Sequence, residues 1–124
     1  MPVYVPGPYT NPNPLFVRNN VESTIDVGNL LHKHGFDPEI PHLFHYWAQC
    51  WEHTYDEWME LCLNRLFKCV AVYAVLGRSK GVDIELAKAK EWEIPVFSNL
   101  HDLCEYRDEM WVPSEKFMET EEVK

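Results

Sequence analysis

The chain has 124 residues, an apolar content of 46% and a formal net charge of −9 at pH 7. This length and apolar content predict one globular domain with a sizeable core. The negative charge argues against polymeric nucleic acid as a partner, because a phosphate backbone would be repelled. No run approaches the roughly 18 apolar residues that a membrane span needs. The N-terminal segment also lacks the basic and hydrophobic regions of a signal peptide. We therefore expect a cytoplasmic protein with no membrane partner.

The pattern of the chain predicts alternating strands and helices. Asn13 followed by Pro14 is typical of a helix start, and Gly35 of a helix end. The continuous apolar run 70–76 is typical of a buried parallel strand. The predicted order is a strand at 3–5, a helix at 14–34, a strand at 36–41, a loop with one helical turn at 42–55, a helix at 55–68, a strand at 70–76, a helix at 82–92, a strand at 94–97 and a helix from 98 or 99 to about 110.

This alternation predicts an α/β fold, in which a single-domain open parallel sheet is flanked by helices. We place the domain at 1–112 and a frayed acidic tail at 113–124. The tryptophans Trp58, Trp92 and Trp111 have the spacing of helix core positions. The four cysteines form no C-x-x-C pair, which favours reduced thiols: Cys50, Cys62, Cys69 and Cys104.

In such a fold the ligand lies outside the carboxyl ends of the strands. The loops after the first and third predicted strands, and the loop after the second, therefore surround one crevice. The third strand leads into Gly77-Arg78-Ser79-Lys80-Gly81 and then a helix. Its glycines allow a tight turn and close approach to a ligand, and the helix N-terminus is a seat for an anion. Glu85, about one turn further, points its carboxylate into the same crevice.

Each of these features also has an ordinary structural interpretation. The glycine turns can be plain strand-to-helix connections, and an acid in the first turn of a helix stabilises the helix dipole. No G-x-x-x-x-G-K-[ST] or G-x-G-x-x-G motif is present, so the sequence indicates neither a nucleoside triphosphatase nor a dinucleotide oxidoreductase.

A histidine-rich segment follows the second predicted strand. His42, His45, Cys50 and His53 have the spacing H-x2-H-x4-C-x2-H. Zinc ligands usually come in two pairs across a longer gap, so we predict no metal here and keep a metal site as the weaker alternative. The aromatic residues between them are expected to line a pocket wall or cover the core: Phe44, Tyr46, Trp47 and Trp51.

Four short segments carry a familiar pattern: YVPGPYT at 4–10, IPHL at 40–43, YDEWM at 55–59 and GRSKGVDIE at 77–85. Together they resemble the nucleoside 2-deoxyribosyltransferase superfamily, and in particular its small relatives that phages and prophages carry. The superfamily includes the 2'-deoxynucleoside 5'-monophosphate N-glycosidases. The most specific part is the Ser-x-Gly-x-x-x-Glu spacing of Ser79, Gly81 and Glu85.

The resemblance implies a Rossmann-like, nucleoside deoxyribosyltransferase-like fold, no cofactor, and a homo-oligomer whose subunits complete each other's pockets. In that family a glutamate attacks the anomeric carbon, releases the base and holds the sugar as a glycosyl ester. Water or another base then takes the sugar. By motif, Glu85 is that nucleophile, and Tyr4 lies where the family's strand-one tyrosine approaches it. The same mapping assigns substrate and phosphate contacts to Gly7, Tyr9, Thr10, His42, Ser79 and Gly81.

Ser79 indicates the substrate. Family members that handle nucleosides place an aspartate there for the sugar 5'-hydroxyl, whereas members that handle monophosphates place a serine. A carboxylate would repel a phosphate, and a hydroxyl beside helix N–H groups would accommodate one. Arg78 and Lys80 add positive charge. Two positions depart from the family pattern, since Cys62 and Val70 stand where it often carries aspartates.

The sequence thus predicts an N-glycosidase or 2'-deoxyribosyltransferase that cleaves the base–sugar bond of a (deoxy)nucleoside 5'-monophosphate. A covalent glycosyl intermediate on Glu85 implies retention at C1'. Its partner is a small nucleotide or nucleoside. The main alternative is a non-catalytic nucleotide-binding module of the same fold. The weaker alternative is a small metal-binding protein that uses the segment 42–53.

Overall fold

The computed structural model describes residues 1–111, and these form alternating strands and helices. Their bounds are β1 (Pro2–Tyr4), α1 (Pro14–Lys33), β2 (Asp37–Glu39), α2 (Phe44–Cys50), α3 (Tyr55–Phe67), β3 (Ala71–Tyr73), α4 (Lys80–Glu91), β4 (Val96–Phe97) and α5 (Leu100–Met110). A single 3-10 turn, Pro41–Leu43, leads into α2. Residue 112 and the predicted acidic tail, 113–124, lie outside the described residues.

The four strands form one parallel sheet in the order β2-β1-β3-β4. The predicted α/β fold with an open parallel sheet is therefore confirmed. The chain passes from β1 to β2 on one side of β1 and returns to β3 on the other side. This reversal makes the carboxyl ends of β1 and β3 the switch point, where ligands of open α/β sheets bind.

Side-chain caps set the starts of the long helices. Asn13 accepts a hydrogen bond from the Leu15 amide at 3.0 Å, and Pro14 follows it at the first helical position. Thr54 and Glu57 form a reciprocal capping box at the start of α3. Such caps satisfy amides that have no partner within the helix. The helix starts were therefore among the features that local sequence could predict.

Alternating residues of the strands divide the core into two faces. We call the side covered by α1 and α5 the apolar face; its buried residues are Met1, Val3, Val5, Leu31, Phe36, Ala71, Tyr73 and Leu103. We call the side covered by α3 and α4 the pocket face; its buried cluster is Tyr4, Leu66, Cys69, Val72 and Ala89. Adjacent residues of a strand point to opposite faces of the sheet. Tyr4 therefore points to the pocket face, while its neighbours Val3 and Val5 point to the apolar face.

Three predictions about elements were wrong in detail. The run 70–76 pairs as a strand only at Ala71–Tyr73, and Val75 is exposed in the loop beyond. The segment 42–55 is not a loop with one helical turn, because it contains the two-turn helix α2. Trp111 is 36% exposed after the end of α5 and is not a core residue.

Close packing fixes α1 on the sheet. Gly28 lies against the side chain of Ile40, and a Cβ at this position would collide with it.

No helix of the described residues 1–111 is long and apolar enough to cross a membrane.

Candidate functional site

A pocket of about 480 Å³ lies at the switch point of the sheet. The loop after β1, the turn before α2, the helices α2 and α3, and the first two turns of α4 all contribute to its wall. Its lining residues are Gly7, Tyr9, Thr10, Pro41, His42, Phe44, His45, Ala48, Tyr55, Trp58, Met59, Cys62, Ser79, Lys80, Gly81 and Glu85. The loops after the first three strands therefore meet at one crevice, as the topology predicted.

The structure brings the predicted site residues together. All of the predicted site residues except Tyr4 line the pocket. The lining residues among them are Gly7, Tyr9, Thr10, His42, Ser79, Gly81 and Glu85. Tyr4 is completely buried, and its hydroxyl lies beside the side chains of Glu85 and Cys62. Residues from β1 and α4, about eighty positions apart in the chain, thus share one buried polar group.

Glu85 is the unusual residue of this pocket. It lies in the second turn of α4 and is only 7% exposed. Burial raises the pKa of its carboxyl from 4.5 to about 7, although the nearby Tyr4 hydroxyl opposes the rise. Near neutral pH the carboxyl therefore exists in both charge states, which suits a group that must act as a nucleophile and then as a leaving group.

Unsatisfied polar atoms mark the same place. Within residues 1–111, the buried side-chain polar atoms that lack a hydrogen-bond partner are the Tyr4 hydroxyl, His42 Nδ1 and Glu85 Oε2. Tyr4 and Glu85 are close enough to affect each other's pKa but do not meet the geometry of a hydrogen bond. Native proteins satisfy nearly all such atoms with protein or water partners, so these three atoms at and beneath the pocket wall set this region apart from the apolar core.

His42 presents a hydrogen-bond acceptor. Its Nε2 lies 2.9 Å from the carbonyl oxygen of Pro8. A carbonyl only accepts hydrogen bonds, so Nε2 carries the proton and Nδ1 is bare. Burial lowers the pKa of His42, which keeps the ring neutral. This nitrogen is buried and has no hydrogen-bond partner among the described residues.

The N-terminus of α4 presents donors. Ser79 is its N-cap, and the Ser79 hydroxyl oxygen accepts a hydrogen bond from the Val82 amide at 3.2 Å. The amides of Lys80 and Gly81 precede the first intrahelical bonds and remain available. A Cβ added to Gly81 would meet Met59 and Tyr55 at ordinary contact distances, so these side chains lie close beside the donors. This end of the pocket suits an anion.

The positive charge at this end comes from one of the two predicted cations. The Lys80 ammonium lies 5.7 Å from the centre of the Tyr55 ring at the pocket wall. Arg78, in contrast, is exposed and donates a 2.6 Å hydrogen bond to Asp83. Of the two cations expected beside the site, Lys80 lines the pocket and Arg78 does not.

Cys62 faces Glu85 across the pocket face. Burial, and then the nearby Glu85, raise the pKa of its thiol to about 11, so it stays neutral. Val70, the other departure from the family pattern, packs against the apolar face. Asp56 and Asp83 lie outside the pocket lining, so Glu85 is the carboxyl-bearing residue among those that line it.

The wall formed by α2 and α3 was largely missed from the sequence. Tyr55, Trp58, Met59 and Cys62 follow one stripe of α3 with the spacing i, i+3, i+4, i+7, and Trp58, expected in the core, lines the pocket with them. From α2, Phe44 lines the pocket as expected. Tyr46 and Trp51 do not, since they are 74% and 70% exposed.

His45 is a further pocket residue that the sequence did not assign to the site. Its Nδ1 lies 2.6 Å from the Tyr9 hydroxyl, and the Tyr9 ring packs edge-on against His42 and His45. Tyr9 is thus tied to α2, a helix that the sequence pattern did not predict.

The histidine-rich segment does not form a metal-binding group in the part of the chain that is described. Among residues 1–111, the side chains that lie close enough together to share a metal ion are those of His101, Asp102 and Glu105 on α5, and all three are exposed. In place of a shared centre, His53 packs edge-on against Trp47 and at a tilt against Trp58. Cys50 is exposed.

Comparison of the chain with protein-family models, with curated proteins and with solved structures found no match. Its function is therefore inferred from the pocket residues and from the motif resemblance.

Proposed function

We propose that the protein cleaves the base–sugar bond of a nucleoside 5'-monophosphate, as an N-glycosidase or a 2'-deoxyribosyltransferase. The observation that carries the proposal is Glu85, a nearly buried carboxyl with an unpartnered oxygen and a pKa of about 7 in a pocket at the switch point. The sheet order β2-β1-β3-β4 supports the Rossmann-like, nucleoside deoxyribosyltransferase-like assignment of the fold.

The distribution of donors and acceptors supports a nucleotide as the ligand. The phosphate would lie at the N-terminus of α4, between the Lys80 and Gly81 amides and the Lys80 ammonium. The base would lie against the aromatic wall near Phe44 and Trp58, beside the His42 ring. The sugar then lies between these ends, within reach of Glu85.

The chemistry would proceed in two displacements. A carboxylate oxygen of Glu85 attacks C1', the bond from C1' to the base nitrogen breaks, and the base departs with the bonding electrons. Water or a second base then attacks C1' from the opposite side and releases the carboxylate. Two inversions give net retention at C1'. Tyr4 lies where its hydroxyl can donate to the Glu85 carboxylate and orient it.

One observation favours the second candidate, a non-catalytic nucleotide-binding module. The pocket lining contains a single carboxyl, whereas retaining glycosidases generally use two, one of them as an acid. A module of this kind would bind nucleotides with the same donors and would never release a base.

The test is incubation of the wild type and Glu85→Gln with a panel of nucleoside and deoxynucleoside 5'-monophosphates, followed by chromatography of the free base. We expect the wild type to release base and the variant to release none, while both bind the nucleotide within about tenfold, because the amide is isosteric but is not a nucleophile. Glu60→Gln, an exposed change on α3, is the control. Adding a second base separates transfer from hydrolysis. Binding without release by the wild type would select the binding module.

The phosphate end has its own test, calorimetric titration with a deoxynucleoside and its monophosphate. Two charge-assisted hydrogen bonds would give the wild type a preference of about a hundredfold for the monophosphate. Ser79→Asp and Ser79→Asn both keep an N-cap side chain and differ in charge. We expect the asparagine variant to keep most of the preference and the aspartate variant to reverse it. Equal affinity of the wild type for both ligands would refute the phosphate site.

A further inference from the structure

Departure of a nucleobase requires a proton, and no carboxylic acid in the pocket is free to give it. A base that leaves as an anion is a poor leaving group, so enzymes place a general acid near it. Among the residues that line the pocket, the carboxyl is that of Glu85, which the proposed function uses as the nucleophile.

The other polar groups of the pocket are poor candidates for this role. The Cys62 thiol keeps its proton up to a pKa of about 11. Tyr4 is completely buried and is absent from the pocket lining, so its hydroxyl does not reach the base. The one proton of neutral His42 is on Nε2 and is held by the Pro8 carbonyl. The Tyr55 ring lies under the Lys80 ammonium at the phosphate end, away from the base.

The pair formed by Tyr9 and His45 remains. Both side chains line the pocket, beside His42 and Phe44 at the end assigned to the base. The 2.6 Å separation of the Tyr9 hydroxyl and His45 Nδ1 is a short hydrogen bond in which either group can be the donor. The ionisable groups that contact this pair are each other and His42, which comes from the turn before α2.

We propose that the Tyr9–His45 pair protonates the departing base. As the C1'–N bond breaks, the Tyr9 hydroxyl gives its proton to a ring nitrogen or carbonyl oxygen of the base. The step requires both His45 ring nitrogens to carry a proton, with the Gln49 side-chain amide, 3.3 Å from Nε2, turned to accept from it; the Nδ1 proton then moves to the Tyr9 oxygen and His45 is left neutral. The base leaves as a neutral molecule, and Glu85 becomes the glycosyl ester. This inference rests on the proposed function and adds to it two residues of the leaving-group site.

The experiment compares two substrates: the nucleotide that the wild type cleaves fastest, and the same nucleotide methylated on a ring nitrogen of its base. The methylated base carries a positive charge and leaves as a neutral molecule without a proton donor. The variants are Tyr9→Phe, which keeps the ring, and His45→Asn, which keeps a hydrogen-bonding group near Tyr9. The asparagine amide has no acidic proton that it could transfer to Tyr9. Tyr46→Phe on the exposed side of α2 is the matched control.

We expect each pocket variant to lose about a hundredfold in kcat on the natural nucleotide, the usual contribution of a general acid. On the methylated nucleotide the loss should be less than about fivefold, and the control should keep wild-type rates on both. Equal losses on the two substrates, or no loss on the natural one, would overturn the proton-donor role while leaving Glu85 as the nucleophile. If the wild type cleaves neither substrate, the proposed function fails and the pair loses its role with it.

Discussion

Two helices cover each face of the sheet, but the two faces differ in the polarity of the side chains that they bury. On the apolar face, helices α1 and α5 cover a cluster dominated by aliphatic side chains such as Val3, Val5 and Leu31. On the pocket face, the strand residue between the two valines is Tyr4, and it lies beside Glu85 and Cys62. Two of the unpartnered buried polar atoms of the described chain belong to this group.

The difference teaches where stability and reactivity are placed. Burial of apolar area stabilises the fold, whereas burial of an unpartnered polar atom destabilises it. A buried carboxyl with a raised pKa therefore lowers the free energy of unfolding, and the burial of apolar area on the other face offsets this loss. If this comparison is right, substitutions on the two faces change the free energy of unfolding in opposite directions.

The largest expected effect is on the apolar face. Leu31→Ala removes a fully buried side chain and should lower the free energy of unfolding by about 2–5 kcal/mol. The matched control is Leu30→Ala, whose side chain is 41% exposed on the same helix and should cost less than about 1 kcal/mol. Urea denaturation measures both. Similar losses for the two variants would mean that α1 does not present the face that its burial indicates.

Glu85→Gln should raise the free energy of unfolding, in contrast to Leu31→Ala, and it should do so only at higher pH. Below pH 4.5 the carboxyl is protonated in the folded and in the unfolded chain. As pH rises towards 7 the unfolded chain ionises first, so ionisation favours unfolding. A pKa raised from 4.5 to about 7 corresponds to about 3 kcal/mol.

The variant should therefore be more stable than the wild type by up to about 3 kcal/mol at pH 8, and nearly equal to it at pH 4. Thermal denaturation of wild type, Glu85→Gln and Glu60→Gln across this pH range is the measurement. A constant difference between wild type and the Glu85 variant at every pH would show that Glu85 ionises normally.

The same pKa predicts the pH dependence of turnover. The nucleophile must be ionised, so kcat/KM for base release should rise with pH through a midpoint of about 7, and fall again at higher pH once the proton donor is lost. Initial rates from pH 5 to 9 give the midpoint. A rate already constant from pH 5 upwards would argue against a buried carboxyl as the attacking group.

The smallest expected effect is that of Tyr4→Phe. Loss of a buried, unpartnered hydroxyl should change the free energy of unfolding by less than about 1 kcal/mol in either direction. The Tyr4 hydroxyl opposes the rise of the Glu85 pKa, so its removal should shift the midpoint of the pH–rate profile upwards. An unchanged midpoint would separate Tyr4 from the chemistry of Glu85.

Local sequence was enough to predict most of the fold. Caps at Asn13 and Asn99, the glycine after α1 and the apolar run before Gly77 each depend on residues within a few positions of one another. Such signals persist in the sequence because helix caps and strand burial are set by neighbours in the chain. The parallel sheet and the position of its crevice followed from the alternation of these elements.

The sequence did not predict α2, for a physical reason. None of the seven residues of α2 is buried, and its apolar stripe of Phe44, Trp47 and Ala48 covers little more than one helical turn, too short to distinguish a helix. Its aromatic side chains pack on a distant element, as Phe44 and Trp47 contact Trp58 of α3. The pairing of His45 with Tyr9 depends on the same tertiary contact.

The sequence by itself determined the types of residue available and their order: a glycine turn, a serine cap, and one acid on the inner side of α4. Only the tertiary structure decided that Glu85 is buried against Tyr4, that Arg78 is neutralised by Asp83, and that Cys62 leaves the pocket with a single carboxyl. Burial and the distance between charges set the pKa of a carboxyl, and both arise from contacts between residues far apart in the chain.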